Sequence, residues 1–355
     1  LRVAIIGAGP AGFYAAEALL KQPGLVVSID FLNRFPTPFG LVRQGVAPDH
    51  QSIKSVTRIY DKIAADPRVR YFGNVTFGVD VLREDLKPLY DTIIYAVGAQ
   101  TDRHMNIPGE DLVGSYPATA FVGWYNGHPD YRDYHFDLSQ ERVVVVGNGN
   151  VAMDVTRILV TNPDELAKTD IADYAIAALR ASNVREVVML GRRGPAQAAF
   201  TNAELKEFGE LENVRVELDP SDLQLDPDSE AALAEDKIAA KNVDLLRAYA
   251  ARTDWSGEKT IRMRFLASPV EILGEAGHVA GVKIERNQLV ADGRGGLRAK
   301  GMGQFETMTC GMVLRSVGYR GVPLKGVPFD EASYTIMNVA GRVTHASSGE
   351  TIPGE

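Results

Sequence analysis

An α/β chain of two domains, one inserted in the other, is predicted by three features of the sequence. The first is a device that occurs twice. Val3-Ala4-Ile5-Ile6 runs into Gly7-Ala8-Gly9-Pro10-Ala11-Gly12, and Val143-Val144-Val145-Val146 runs into Gly147-Asn148-Gly149-Asn150-Val151-Ala152. Each time a buried-type strand passes through a glycine turn straight into a helical pattern, the opening of a nucleotide-binding βαβ unit. The second is a pair of strands, Thr92 to Ala99 and Met312 to Gly318, with matching ends at Val97-Gly98 and Val317-Gly318. Such a pair fits a chain that leaves a domain near residue 100 and returns to it near residue 318. The third is size. The 355 residues, 45% apolar and 24% charged, suffice for two domains with proper cores.

Composition also excludes several functions. A net charge of -8 argues against nucleic acid as a partner. No apolar run approaches the ~18–20 residues of a membrane span, so no integral membrane segment is expected, and the protein is expected in the cytoplasm. The one cysteine, Cys310, rules out an internal disulfide, a Cys-x-x-Cys redox pair and a cysteine-ligated cluster within these residues; it reads as a small buried side chain. No metal site is expected. Leu1 is not a start residue, and Ser347 to Glu355 is a polar, turn-like finish, so both ends read as cut.

In the first domain, Val3 to Ile6 is a fully buried strand. Gly7 permits the turn, Gly9 lets a phosphate approach the backbone, and Gly12 lets the helix from Ala11 to Leu20 sit close to the strand. Pro23-Gly24 stops that helix, and Val26 to Phe31 is the second strand. An acid that holds ribose hydroxyls belongs at the end of this strand. Asp30 lies inside the strand, and Asn33, just past it, stands where the ribose contact is expected. Phe35 to His50 carries three prolines and two glycines and reads as a shaped loop rather than an element. Within it, Arg43 could offer charge to a phosphate or a flavin edge, and Asp49 and His50 could cap the next helix, Ile53 to Ala65. Short strands follow at Val69 to Phe72 and Val75 to Val79. Ile107 to Asp111 reads as a turn-rich linker with the domain boundary near it.

In the second domain, Ala152 stands at the third fingerprint position, where a small side chain still permits close packing. A helix runs from about Val151 to Val160, and the next strand is Glu186 to Leu190. That strand ends in Gly191-Arg192-Arg193-Gly194-Pro195, with two arginines where an acid would stand in an NAD site. A carboxylate would repel a 2′-phosphate, whereas a guanidinium binds it bidentately, so the site reads as NADP. Phe200 to Leu211 is a helix whose early Glu204 and Glu207 either complement its dipole or face the nicotinamide ribose. Asp219 to Glu235 reads as an acidic solvated face, and Lys237 to Thr253 as a helix bearing Arg247 and Arg252. Ile261 to Leu266, Val270 to Leu273 and Val282 to Arg286 read as strands meandering over one edge of the domain.

Taken together, these motifs resemble the adrenodoxin reductase type of NADPH–ferredoxin reductase, including the actinobacterial ferredoxin reductases. The likeness spans nearly the whole chain. It rests on Gly7 to Gly12, on Pro38-Phe39-Gly40-Leu41-Val42-Arg43 with Gly45-Val46-Ala47-Pro48-Asp49-His50, on Gly147 to Asp154, on Gly191 to Pro195, and on Arg315-Ser316-Val317-Gly318-Tyr319. The Gly-Leu-Val-Arg and Val-Ala-Pro-Asp-His blocks are far more specific than a lone glycine fingerprint. The resemblance implies two Rossmann-like three-layer dinucleotide-binding domains. An FAD domain would span 1–104 and 318–355, and an NADP domain, 105–317, would be inserted in it. FAD would lie near Gly7, Gly9, Pro10, Ala11, Gly12, Asn33, Leu41, Arg43 and Val75. NADP(H) would lie at Asn148, Gly149, Asn150, Val151, Arg192, Arg193 and Glu204, with Arg103 nearby. His50, Asp154 and Glu207 would lie near the flavin–nicotinamide contact and tune hydride and proton movement. Family members usually carry glutamate at the position of Asn33, and they continue past Glu355 with a segment that covers the flavin; some relatives begin with an iron–sulfur domain.

The implied activity is hydride transfer from NADPH to FAD, then single-electron release to a ferredoxin-type iron–sulfur protein, with Arg247 and Arg252 as candidate docking charges. Two alternatives are another NADPH-dependent FAD oxidoreductase and a non-catalytic dinucleotide-binding module. The missing cysteine pair argues against a disulfide reductase.

Overall fold

The computed structural model describes residues 1–293 and 295–355. The chain divides into two compact units. The first takes Leu1–Val46, His50–Arg103 and Gly318–Glu355, and the second Ala47–Asp49 and His104–Val317.

The first unit is built on a four-stranded parallel sheet. Its strands are β1 (Arg2–Ile6), β2 (Ser28–Leu32), β3 (Val69–Phe72) and β4 (Thr92–Tyr95), in the order β3-β2-β1-β4. Strand β1 is central and buried on both faces, which is why its sequence is a continuous apolar run. Val3 and Ile5 pack with Phe13 and Ala16 of helix α1 (Pro10–Leu20) and with Tyr60, while Ala4 and Ile6 face Leu86 and Ile93. Phe13 stacks on Phe31 and on Tyr60, each at 4.8 Å between centroids. Strand β5 (Thr101–Asp102) pairs antiparallel with Tyr319–Arg320, so the chain's return closes this unit.

Three local expectations are corrected here. The Phe35–His50 loop contains a short helix, α2 (Leu41–Gln44), placed after two positive-φ residues, Phe39 and Gly40. The expected helix from Ile53 to Ala65 is two helices, α3 (Gln51–Lys54) and α4 (Thr57–Ala64), broken at Ser55-Val56. In place of a strand at Val75 to Val79 there is a single bridge between Phe77 and Val81.

Asp30 is not a ligand acid. Its carboxylate, 2% exposed, accepts both forks of Arg70 at 2.6 and 2.7 Å and the Tyr90 hydroxyl at 2.7 Å. Burial pushes its pKa up, but the Arg70 and Tyr90 hydrogen bonds outweigh burial and hold it below the ordinary 3.8. A lowered carboxyl pKa stabilises the fold above its unfolded value and loses that effect as pH falls. Asp30→Asn is therefore expected to cost about 1–3 kcal/mol at pH 7, with a smaller penalty near pH 3. Urea unfolding at both pH values checks this; an equal penalty at both would count against the ion pair.

The second unit holds a six-stranded parallel sheet in the order β6-β14-β7-β8-β10-β9. The strands are β6 (Ser115–Pro117), β7 (Arg142–Val146), β8 (Glu186–Leu190), β9 (Val214–Leu218), β10 (Lys259–Arg264) and β14 (Met312–Arg315). Between the last two lies a three-stranded antiparallel sheet of β11 (Ala267–Glu275), β12 (His278–Ala291) and β13 (Leu297–Thr309). Alternating valines of β7 show the layering. Val143 and Val145 face helices α5 (Ala118–Tyr125) and α6 (Asn150–Val160), whereas Val144 and Val146 pack with Ile272, Val282 and Ile284 of the antiparallel sheet. The unit has three layers, and its second outer layer is a β-sheet.

The late strands thus cover a face of the second unit and not merely an edge. The segment at Ile261 is a member of the parallel sheet, paired with β8 and β9. The acidic stretch from Asp219 is not wholly solvated. Asp222 is 1% exposed and accepts the Phe265 N–H at 3.0 Å and the Arg286 guanidinium. Glu110, within the expected linker, is buried against Arg315 at 2.6 Å.

Candidate functional site

In the first unit, the turn after β1 puts Gly7 at φ +101°, and a Cβ there would lie 2.5 Å from the Ala96 carbonyl oxygen. Gly12 faces the same constraint, since its Cβ would lie 2.5 Å from the Gly7 oxygen. Pro10 occupies the first turn of α1 and Gly9 its N-cap; the proline's missing N–H costs nothing there. The loop after β2 folds back onto this turn. Phe39 N–H donates to the Ala8 carbonyl at 2.7 Å, and a Cβ at Gly40 would meet the Gly9 Cα at 2.9 Å. Asn33 fastens the two together. Its Oδ1 accepts from Ala8 N–H at 3.3 Å, and its Nδ2 reaches the Phe35 carbonyl at 3.1 Å and the Tyr71 hydroxyl at 3.0 Å. Ala11 and Leu41 are exposed, Val75 is half-buried, and Val75 N–H donates to the Asn33 carbonyl at 3.0 Å. Arg43 donates from Nε to the Pro38 carbonyl at 3.1 Å, with its guanidinium over the Phe39 ring.

Arg103, the last residue of its segment of the first unit, is exposed, with Nε on the Tyr319 carbonyl at 3.2 Å. His50, also in the first unit, is buried at the N-cap position of α3 and makes no side-chain cap bond to it.

In the second unit, Gly147 has φ +134°, and a Cβ there would collide with the Ser316 carbonyl. Gly149 is different: a Cβ on it would meet nothing within 4 Å, so the backbone at the start of α6 faces open space. Asn148 Nδ2 is buried with no hydrogen-bond partner and leans against Gly191, where an added Cβ would come within 2.9 Å of it. An orphaned amide donor and open glycine backbone at a helix start suit the phosphate and ribose oxygens of a dinucleotide. Asn150 Oδ1 accepts the Thr201 N–H at 2.9 Å, which ties the start of α6 to that of α7 (Asn202–Glu210). Val151 is half-buried. Arg192 is exposed and Arg193 half-buried, and among the described residues neither has a carboxylate within ion-pair distance.

Sequence reasoning missed the residue at the centre of the acidic cluster. Arg157, 3% exposed on α6, contacts four carboxylates of the second unit: Asp49 at 2.7 Å, Asp154 at 2.8 Å, Glu207 at 3.0 Å and Glu204 at 3.3 Å. Burial works to lower its pKa, but the acids, Asp49 foremost, raise it above its ordinary value and keep the guanidinium charged. Asp154 and Glu207 therefore come together with Glu204 through a shared cation. Asp49 joins them on the same guanidinium. The i,i+3 spacing of Asp154 and Arg157 was the only signal in the sequence.

The candidate docking charges are already partnered. Arg247 pairs with Glu230 at 3.1 Å, and Arg252 pairs with Asp254 at 2.9 Å while lying over the Trp255 ring.

Comparison with known proteins fits this geometry. A family profile described as "Pyridine nucleotide-disulphide oxidoreductase" matches residues 1–237, two thirds of the chain. NADPH-ferredoxin reductase FprA of Mycobacterium tuberculosis is 51% identical over 356 residues, covering 99% of this chain and 77% of that protein. The chain belongs to the pyridine nucleotide-disulphide oxidoreductase family, among its NADPH-ferredoxin reductases. The mitochondrial NADPH:adrenodoxin oxidoreductase of Arabidopsis thaliana is 41% identical over 366 residues, covering 100% of this chain and 75% of that one. The solved structure of Mycobacterium tuberculosis FprA in complex with NADPH superposes with a TM-score of 0.93 at 51% identity, covering 96% of this chain and 76% of that one. The resemblance to adrenodoxin-type ferredoxin reductases and the α/β dinucleotide-binding fold are thus borne out. The 355 residues hold one cysteine, Cys310, and burial pushes that thiol up to about 12. Among the described residues no helix is long and apolar enough to cross a membrane.

Proposed function

We propose that this reductase takes electrons from NADPH through FAD to a ferredoxin-type iron–sulfur protein, with FAD on the first unit and NADPH on the second. The observation that carries the NADPH assignment is the arginine pair, with no carboxylate at ion-pair distance among the described residues, at the end of β8 beside the orphaned Asn148 amide. When bound, the dinucleotides supply the redox chemistry, two electrons as hydride on one side and single electrons on the other. The chain's residues bind, orient and set charge. Gly7, Gly9, Pro10, Ala11 and Gly12 offer the first turn's backbone, with Asn33, Leu41, Arg43 and Val75 around it. Asn148 to Val151 offer the second turn, Arg192 and Arg193 hold the 2′-phosphate, and Glu204 and Arg103 contact the remaining NADPH polar groups. Asp154, Glu207 and His50 hold or move protons near the reacting rings. Arg157 lies between Asp154 and Glu207 and contacts both. Ferredoxin docks by charge, with Arg247 and Arg252 as contributors, and the enzyme works in the cytoplasm.

The test is an anaerobic titration followed by absorbance. Yellow protein should bleach with NADPH at far lower concentration than with NADH and then reduce a ferredoxin. Arg192→Ala with Arg193→Ala removes two charge-assisted contacts of about 1.5–3 kcal/mol each, and should weaken NADPH by about 100-fold or more while sparing NADH. Bleaching without onward reduction of any ferredoxin would leave a different flavin oxidoreductase. Equal response to NADH and NADPH would sink the arginine assignment.

A further inference from the structure

The arginine turn does not hold itself in place. Each of its first three carbonyls is bound from outside, two by the start of β11 and the residue before it and one by a side chain of β12. Ala267 N–H donates to the Gly191 oxygen at 3.0 Å, and Leu266 N–H donates to the Arg193 oxygen at 3.0 Å. Leu266 sits at φ +52°, a conformation that side chains rarely adopt, and its amide and that of Ala267 serve the same turn. The carbonyl between them, that of Arg192, is taken by a side chain. Asn287 Nδ2, from β12 and 95 residues downstream, donates to it at 2.8 Å. Asn287 is 3% exposed, lies at a register shift in the β12–β13 pairing, and donates also to Ser268 Oγ at 2.7 Å. Its own N–H donates to the Leu266 carbonyl at 2.7 Å. The neighbours on both sides are rooted in turn, because buried Asp222 accepts from Arg286 and from the Phe265 N–H.

We propose that Asn287 is the positioning residue that sets this reductase's choice of a 2′-phosphorylated adenosine. A hydrogen bond to the Arg192 carbonyl fixes the plane of the 192–193 peptide. That plane sets the directions in which both arginine side chains leave the backbone, and bidentate recognition of a phosphate depends on those directions. The other two carbonyl bonds come from main chain, so among the described residues Asn287 is the side chain that hydrogen-bonds these carbonyls from outside the turn. The inference rests on the NADPH reading of Arg192 and Arg193.

The test reads binding, without turnover. Calorimetric titration of the full chain with adenosine 2′,5′-bisphosphate and with 5′-AMP separates the 2′-phosphate from the rest of the adenosine. Asn287→Ala should raise Kd for the bisphosphate about tenfold and for 5′-AMP less than twofold. Ser268→Ala, which removes only the hydroxyl that orients the Asn287 amide, should shift the same ratio by about twofold to fourfold and guards against a folding defect in the first variant. Arg192→Ala with Arg193→Ala is the control. If it leaves the bisphosphate preference intact, the arginine reading itself fails. If it abolishes the preference while Asn287→Ala changes neither ligand, or weakens both equally, Asn287 does not set the choice.

Discussion

Arg157→Met should destabilise the second unit by about 3–5 kcal/mol at neutral pH, the usual penalty for removing one side of a buried ion pair. The reason is geometric. Arg157 is 3% exposed and stands among Asp49, Asp154, Glu204 and Glu207, the farthest at 3.3 Å. Without the guanidinium, carboxylates packed at this distance repel one another, and their pKa values rise above the unfolded ones. A raised carboxyl pKa favours the fold below the unfolded value and penalises it as pH climbs through the folded value. The variant should therefore regain stability as pH falls from 7 toward about 4–5, while the parent gains nothing comparable over that window. Unfolding in urea at a series of pH values measures both. A variant whose midpoint matches the parent at pH 7 would show that the cluster needs no cation. The catalytic reading adds a second readout, since Asp154 and Glu207 stay in place without their cation and the pH profile of NADPH oxidation should shift.

The second large effect separates two glycines two residues apart. Gly147→Ala should lower stability by about 2–4 kcal/mol, because it combines a left-handed backbone with overpacking: φ is +134°, and the new methyl meets the Ser316 carbonyl. Gly149→Ala should leave stability within about 0.5 kcal/mol, since its methyl meets nothing within 4 Å. Yet the open space over Gly149 is where a pyrophosphate must approach the backbone, so NADPH should bind at least about tenfold more weakly. Thermal melting and NADPH titration of the two variants give opposite patterns. Normal NADPH affinity in Gly149→Ala would mean that the phosphates lie elsewhere.

What could be read from the sequence, and what could not, follows from range. Strands β1 and β7 were plain because central parallel strands are apolar on both faces and end in glycine turns that local chemistry requires. Arg192 and Arg193 stood out because the end of this strand is where a dinucleotide-binding unit usually places its ribose contact. Arg157 was not, because its partners Asp49 and Glu204 lie 108 and 47 residues away. Strand β13 was missed because nearly every position of Leu297–Thr309 is exposed, which leaves no apolar period to detect. Asp222 looked like one more solvated acid, and only the arrival of Arg286 and the Phe265 amide makes its burial affordable.

The division of the chain also dictates an order of synthesis. The second unit is nearly continuous, His104–Val317, whereas the first also draws on Gly318–Glu355. Residues Val327, Val343 and Ile352 form a small core with Phe77 and Tyr95, and Arg83 waits for Glu355 at 2.8 Å. At roughly 5–20 residues per second, a ribosome takes about 10–40 s to make the intervening stretch. Throughout that time the nascent first unit carries Phe77 and Tyr95 without their final cover, while the second unit can already fold behind it. A chaperone that binds exposed aromatic side chains would find its target at Phe77 and Tyr95, and release would come once the segment from Val327 to Ile352 has been made.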